Sequence, residues 1–93
     1  MAKVRIEIEK KSRVRYCVMR VNGRDDTLDT HDIRLCGKNW IVTKKDSKSG
    51  YVMRVSRVHS TPEKALKCWF CSEFRIPQDD VIVSVNSDNI ANN

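Results

Sequence analysis

Segment 60–74, STPEKALKCWFCSEF, most constrains the fold, because it carries the only strong helix signal and most of the large apolar side chains. Ser60 or Thr61 can cap the helix, and Pro62 suits the first helical position, where a missing N–H costs nothing. Glu63 places negative charge at the positive end of the helix dipole. We therefore predict one helix over residues 61–74.

The apolar residues of this helix extend beyond one face. Four large side chains recur at three- and four-residue spacing, and smaller apolar residues widen the stripe around the helix. Such a helix is either buried on two sides within the domain or covered on its second side by a partner. The candidate partner interface comprises Leu66, Cys68, Trp69, Phe70, Cys71 and Phe74. We expect a homodimer that uses part of this helix or an exposed sheet edge.

The N-terminal third of the sequence is typical of a β-hairpin. Apolar and charged residues alternate over residues 3–9 and again over residues 13–21, which is the period of a half-buried strand. With residues 10–12 as the loop, one register satisfies both faces. It forms the pairs Val4–Val18, Ile6–Tyr16, Ile8–Val14, Glu7–Arg15 and Glu9–Arg13. In this register the arginines simply neutralise cross-strand glutamates.

Further strands are predicted on both sides of the helix. Asn22-Gly23 is typical of a two-residue turn, and residues 24–32 form either a short edge strand or an acidic loop. Strands over 33–35, 40–43 and 51–58 follow, with a last strand over 81–85 in a central position of the sheet. Pairing of the middle strands places Val42 opposite Val52. It also places Trp40 opposite Arg54, either as a cation–π contact or as an ordinary rim tryptophan.

Together these elements predict an α+β fold. A mainly antiparallel sheet of five or six short strands is packed on one face by the single helix in the C-terminal half. A chain of 93 residues suits one domain, which we place at residues 1–85, followed by a flexible polar tail over 86–93.

Composition excludes some classes of protein and favours others. No apolar run approaches the roughly 20 residues that a membrane span needs, so we expect a cytoplasmic protein that does not contact membranes. We accordingly expect the cysteines at positions 17, 36, 68 and 71 to be reduced thiols.

The net charge of +6 is arranged in blocks. Residues 1–24 and 37–67 each carry eight Lys/Arg against two Asp/Glu, whereas residues 25–36 and 68–93 each carry one against four. Both basic blocks fall on predicted sheet, which favours a molecule with one positive side. The second block also brings aromatic residues that could stack on bases. The candidate nucleic-acid-binding residues are Lys38, Trp40, Lys44, Lys45, Lys48, Tyr51, Arg54, Arg57, Lys64 and Lys67.

The preferred function is non-enzymatic binding of DNA, RNA or a complex that processes nucleic acid. Several strands followed by one capped helix is also the layout of small sheet-based nucleic-acid binders, an analogy of fold alone. The alternative is a protein–protein module, an inhibitor or adaptor, that uses the apolar helix and a sheet edge. Nothing in the sequence requires a cofactor.

Two groups of residues raise the question of metal or redox chemistry. Cys68 and Cys71 have the spacing of half a zinc site, but they lie two turns into the helix, where the dipole does not activate a thiol. Buried or interface cysteines are the favoured interpretation. The acidic segment 25–32, with four aspartates and His31, could hold a divalent ion, which keeps a metal-dependent hydrolase as a weaker alternative. We assign no catalytic residue and no metal ligand.

Overall fold

The computed structural model describes residues 3–25 and 28–86, and the one α-helix within these ranges, α1, spans Pro62–Phe74. The Thr61 hydroxyl accepts a hydrogen bond from the N–H of Lys64, and Pro62 occupies the first turn, as the sequence predicts. At the other end Arg75 adopts a left-handed conformation, with φ 56°, and donates its N–H to the carbonyl of Cys71. That conformation ends the helix.

In the part of the chain that the structure describes, six strands form one mixed sheet in the order β5-β4-β3-β2-β1-β6. Their bounds are Val4–Ser12 (β1), Arg15–Val21 (β2), His31–Cys36 (β3), Asn39–Lys45 (β4), Val52–Arg54 (β5) and Val81–Asn86 (β6). The neighbouring pairs are antiparallel except β1 and β6, which are parallel. The predicted fold class is confirmed: the fold is α+β, with a mainly antiparallel sheet and one helix.

The predicted register of the first hairpin is wrong. Ile8 pairs with Val18 and Glu9 with Cys17, because β1 continues through Ser12 and the chain turns at residues 13–14. The register shifts twice along the pair, between Glu7 and Ile8 and again near Lys11. Each shift inserts an extra residue into one strand. The two shifts lie on opposite strands and cancel, so it is the turn at residues 13–14 that prevents the predicted pairs of Arg13 and Arg15 with glutamates.

The last strand also differs from its prediction. β6 lies at the edge of the sheet, parallel to β1, and Ile82 is 45% exposed. The chain leaves β5 at one edge, crosses one face of the sheet as α1 and returns at the opposite edge, so no central position is left for β6. Asn86 belongs to β6, and residues 87–93 of the predicted tail lie outside the described residues.

The segment from 51 to 58 forms a much shorter strand than predicted. β5 contains three residues, and Arg54 pairs with Thr43, not with Trp40. Trp40 is half-buried, and its ring instead meets Tyr16 edge-on at a centroid distance of 5.2 Å. The predicted pairing of Val42 with Val52 is likewise replaced, because Val52 pairs with Lys45.

The core lies between α1 and one face of the sheet. Alternation along the strands directs one set of apolar side chains towards the helix, and the fully buried ones include Ile6, Ile8, Ile33 and Leu66. The helix contacts β3, β4 and β6. The sheet face opposite α1 is called the open face below.

Candidate nucleic-acid interface

One row of directly paired residues crosses the open face from β1 to β5. Glu9 pairs with Cys17, Cys17 with Asp32, Asp32 with Thr43 and Thr43 with Arg54. Directly paired residues on neighbouring strands lie on the same face of a sheet. The pairing therefore brings charges from distant parts of the sequence onto one surface.

At the centre of this surface, two arginines share one carboxylate. Arg15 on β2 lies directly opposite Arg34 on β3. Both guanidinium groups contact Oδ2 of Asp32, each at 3.3 Å. Like charges placed directly opposite each other destabilise a sheet, and the carboxylate between them offsets that repulsion. The two arginine side chains nevertheless remain 41% and 44% exposed, so both can reach a ligand in solvent.

The rest of the open face is also rich in positive charge. Glu7 pairs with Arg20 at 3.4 Å, and the Glu9 carboxylate accepts a hydrogen bond that raises the pKa of Lys11. Among the described residues, pairing and alternation place seven cations on this face against three carboxylates, Glu7, Glu9 and Asp32. The cations are Arg5, Lys11, Arg15, Arg20, Arg34, Lys45 and Arg54. An excess of positive charge on an accessible surface attracts polyanions.

The thiol of Cys17 lies among these charges. Burial raises its pKa, Lys11 and Arg15 act in the opposite direction, and Glu9 and Asp32 add to the net upward shift. The thiol is therefore protonated at neutral pH, and it adds no negative charge to the open face.

The ten residues predicted from the sequence are divided among several parts of the molecule. Lys45 and Arg54 lie on the open face, whereas Lys44 pairs with His31 and lies on the helix side. Lys38 lies in the β3–β4 turn, at the opposite end of β4. Of the remaining predicted residues, Lys48 and Tyr51 lie in the loop between β4 and β5, and Trp40 lies on β4.

Three of the ten residues converge beside α1. Arg57 lines one groove between the 55–59 segment and the helix, and Lys64 and Lys67 line an adjoining groove. His59 and Cys68 belong to the lining of both, so the two grooves are continuous. This second basic surface is separated from the open face by the sheet itself.

Sequence reasoning missed the central arginines of the open face. Arg15 was explained by a partner, Glu7, that it does not contact, and Arg34 stands inside an otherwise acidic block. The available signal was the period-two alternation of Arg15 with apolar residues, which already predicts a side chain on the polar face of a strand.

Most of the six helix residues predicted to contact a partner are buried or half-buried within the domain itself. Leu66, Phe70 and Cys71 are buried against the core, and burial raises the pKa of the Cys71 thiol. Cys68 and Trp69 are half-buried, whereas Phe74 is 48% exposed.

The acidic segment does not assemble into a cluster in the part of the chain that the structure describes. His31 and Asp32 are adjacent in β3 and therefore point to opposite faces. His31 is buried against Trp69, and Asp32 contacts the two arginines. Within residues 3–25 and 28–86, no group of three or more His, Cys, Asp or Glu residues could hold a metal ion. Asp26, one of the predicted set, lies outside these ranges.

Among the described residues, α1 is too short and too polar to cross a membrane, and no other helix is long enough.

Comparison with protein-family models, curated proteins and solved structures found no match for this chain.

Proposed function

We propose that this protein binds nucleic acid, alone or within a complex that processes it, through the open face of its sheet. The observation that supports this most directly is the placement of Arg15 and Arg34, which face each other and share Asp32 as their carboxylate partner. The oxygen atoms of a phosphate group accept hydrogen bonds from guanidinium groups as those of a carboxylate do. The proposal has no catalytic step.

The energetics favour replacement of the Asp32 carboxylate by a phosphate group as the partner of Arg15 and Arg34. Ion pairs between solvent-exposed side chains contribute about 0 to 1 kcal/mol, so the present pairs oppose ligand binding only weakly. Release of counterions from nucleic acid provides a favourable term for each phosphate neutralised. Because phosphate contacts position a protein without reading bases, we expect weak dependence on sequence.

We extend the proposal to a cytoplasmic location of the protein. All four cysteines are free thiols, which suits a reducing compartment.

The test is a salt titration of binding with two double variants matched in charge. Arg15→Gln with Arg34→Gln removes two cations from the open face, and Lys64→Gln with Lys67→Gln removes two from the groove beside α1. Fluorescence anisotropy of labelled duplex and single-stranded DNA and RNA gives the affinity at each salt concentration. We expect the open-face variant to flatten the slope of log affinity against log salt by about 1.4 to 1.8, which is the loss of two phosphate contacts.

The helix-side variant should leave that slope nearly unchanged. If it flattens the slope while the open-face variant does not, the interface lies beside α1 and the assignment to the open face is wrong. If the unmodified protein shows no salt-dependent binding to any of the four probes, it is not a nucleic-acid-binding protein.

A further inference from the structure

The edge strand β5 presents an apolar surface to solvent. Tyr51, Val52 and Met53 are 74%, 49% and 59% exposed, although they are consecutive in the sequence. These three residues line a shallow groove of about 330 Å³ together with Lys44, Asp46 and Ser49. Exposed apolar side chains in a row on an edge strand are typical of a site that pairs with another extended chain.

The backbone of β5 is arranged to accept a further strand. Val55 donates its N–H to Val42, and the carbonyl of Tyr51 accepts from Asp46, so these odd-numbered residues bond towards β4. In an antiparallel ladder, successive residues direct their N–H and C=O groups to opposite sides. The N–H and C=O groups of Val52 and Arg54 therefore point away from β4, to the outer side of the sheet.

The charge around β5 selects the chemistry of the partner. Lys44 and Lys45 lie on the neighbouring strand, and Arg54 lies in β5 itself. The nearest acid in sequence, Asp46, accepts two hydrogen bonds from Ser49, which lower the pKa of its carboxyl and engage it in the β4–β5 turn. A second copy of this chain paired along β5 would bring the same cations together, and this repulsion opposes a homodimer at this edge.

The two faces of the sheet differ at this edge, and this difference specifies which residue types should alternate in a partner strand. Arg54, Lys45 and Val52 belong to the open face, whereas Met53 and Lys44 lie on the helix side beside the groove. A strand added along β5 places alternate side chains on these two faces. We infer that β5 binds an extended peptide segment in which acidic and apolar residues alternate, the acids facing Arg54 and Lys45 and the apolar side chains facing Met53 and Tyr51.

This site shares Arg54 and Lys45 with the open face, so its test uses the backbone of Val52, which carries no charge. The probe is a capped synthetic peptide of alternating glutamate and valine. One control peptide has the same composition with the two residue types in separate blocks, and a second replaces every glutamate with lysine. We expect binding of the alternating acidic peptide alone, together with slowed hydrogen exchange at the amides of Val52 and Arg54.

The matched variants are Val52→Pro and Val52→Thr. Proline removes the N–H that points outward, which an edge strand tolerates, whereas threonine keeps both the N–H and the branched shape. We expect Val52→Pro to weaken peptide binding roughly tenfold or more, the cost of one lost hydrogen bond that leaves its partner unpaired, and Val52→Thr to bind like the parent protein. Thermal unfolding confirms that both variants are folded, and their salt-dependent nucleic-acid binding should not change.

Equal binding of the alternating and block peptides would overturn the inference, because strand addition requires the alternation. So would unchanged binding by a folded Val52→Pro variant. A homodimer in solution that Val52→Pro dissociates would show that the occupant of this edge is a second copy of the chain.

Discussion

The imidazole ring of His31 packs against the indole of Trp69, with the two ring centroids 4.9 Å apart. Burial lowers the pKa of His31, and the nearby charge of Lys44 lowers it further. Asp29, Asp32 and Glu73 act in the opposite direction, but the net shift is downward. The folded protein therefore holds His31 in its neutral form, and protonation of the ring opposes folding.

The stability of the fold should consequently depend on pH in the acidic range. Because the pKa of His31 is lower in the folded than in the unfolded chain, its contribution is fully present above about pH 6.5 and is lost as the pH falls through the folded pKa. We expect urea unfolding midpoints to decrease between pH 7.5 and pH 5. The variant His31→Gln should show a smaller decrease over the same interval, and an identical decrease would assign the effect to other groups.

Trp69→Ala should destabilise the protein, but less than truncation of a fully buried tryptophan would. Trp69 is half-buried and contacts the rings of His31, Phe70 and Phe74. We expect a loss of about 3 kcal/mol, the lower end of the range for large aromatic side chains. Denaturant unfolding measures this loss, and a variant as stable as the parent protein would show that the contacts of Trp69 contribute little.

Phe74→Ala provides a comparison on the same helix. Its ring lies 4.6 Å from that of Phe70, yet the residue is 48% exposed. We expect a smaller loss of stability than for Trp69→Ala, because less apolar surface returns to water. The reverse order would indicate that Phe74 is covered in solution, for example by a second copy of the chain.

The turn between β2 and the following loop should depend on Gly23. Asn22 and Gly23 have φ values of 52° and 82°, both in the left-handed region that the predicted two-residue turn requires. A Cβ atom at Gly23 would meet no other atom within 4 Å, so the cost of Gly23→Ala is backbone strain alone, about 1 to 2 kcal/mol. Thermal unfolding measures it.

Asn22→Asp is the matched control for this turn. Asn22 Oδ1 accepts a hydrogen bond from the N–H of Arg5 at 2.9 Å, and aspartate keeps an acceptor in that position. We expect little change in the melting temperature. A larger loss for Asn22→Asp than for Gly23→Ala would contradict the assignment of strain to position 23.

Asp32→Asn should strengthen nucleic-acid binding while slightly weakening the fold. The substitution removes the carboxylate that occupies Arg15 and Arg34, so both guanidinium groups become available to phosphate. It also leaves two like charges opposite each other, which costs up to about 1 kcal/mol of stability. Anisotropy and thermal unfolding measure the two effects, and weaker binding by a folded variant would place the nucleic acid elsewhere.

The sequence by itself determined the start of the helix and one turn, because both depend only on residues that are neighbours in the chain. Thr61 and Pro62 specify the start of α1, because a cap and a fixed φ act within one turn. Asn22 and Gly23 specify a turn for the same reason, since few residues adopt positive φ at low cost. The α+β class follows from these signals together with the alternating strands.

Only the tertiary structure decided which strands meet and in what register. The bulges near Glu7 and Lys11 depend on hydrogen bonds across two strands, which no local pattern records. The turn at residues 13–14 places Arg15 opposite Ser12 and away from the glutamates of β1, and its contact with Asp32 then depends on the pairing of β2 with β3. The path of the helix across the whole sheet likewise places β6 at an edge. The blocks of charge are visible in the sequence. Which of their side chains lie on the open face and which on the helix side depends on the register of each strand, and residues far apart in the sequence determine that register.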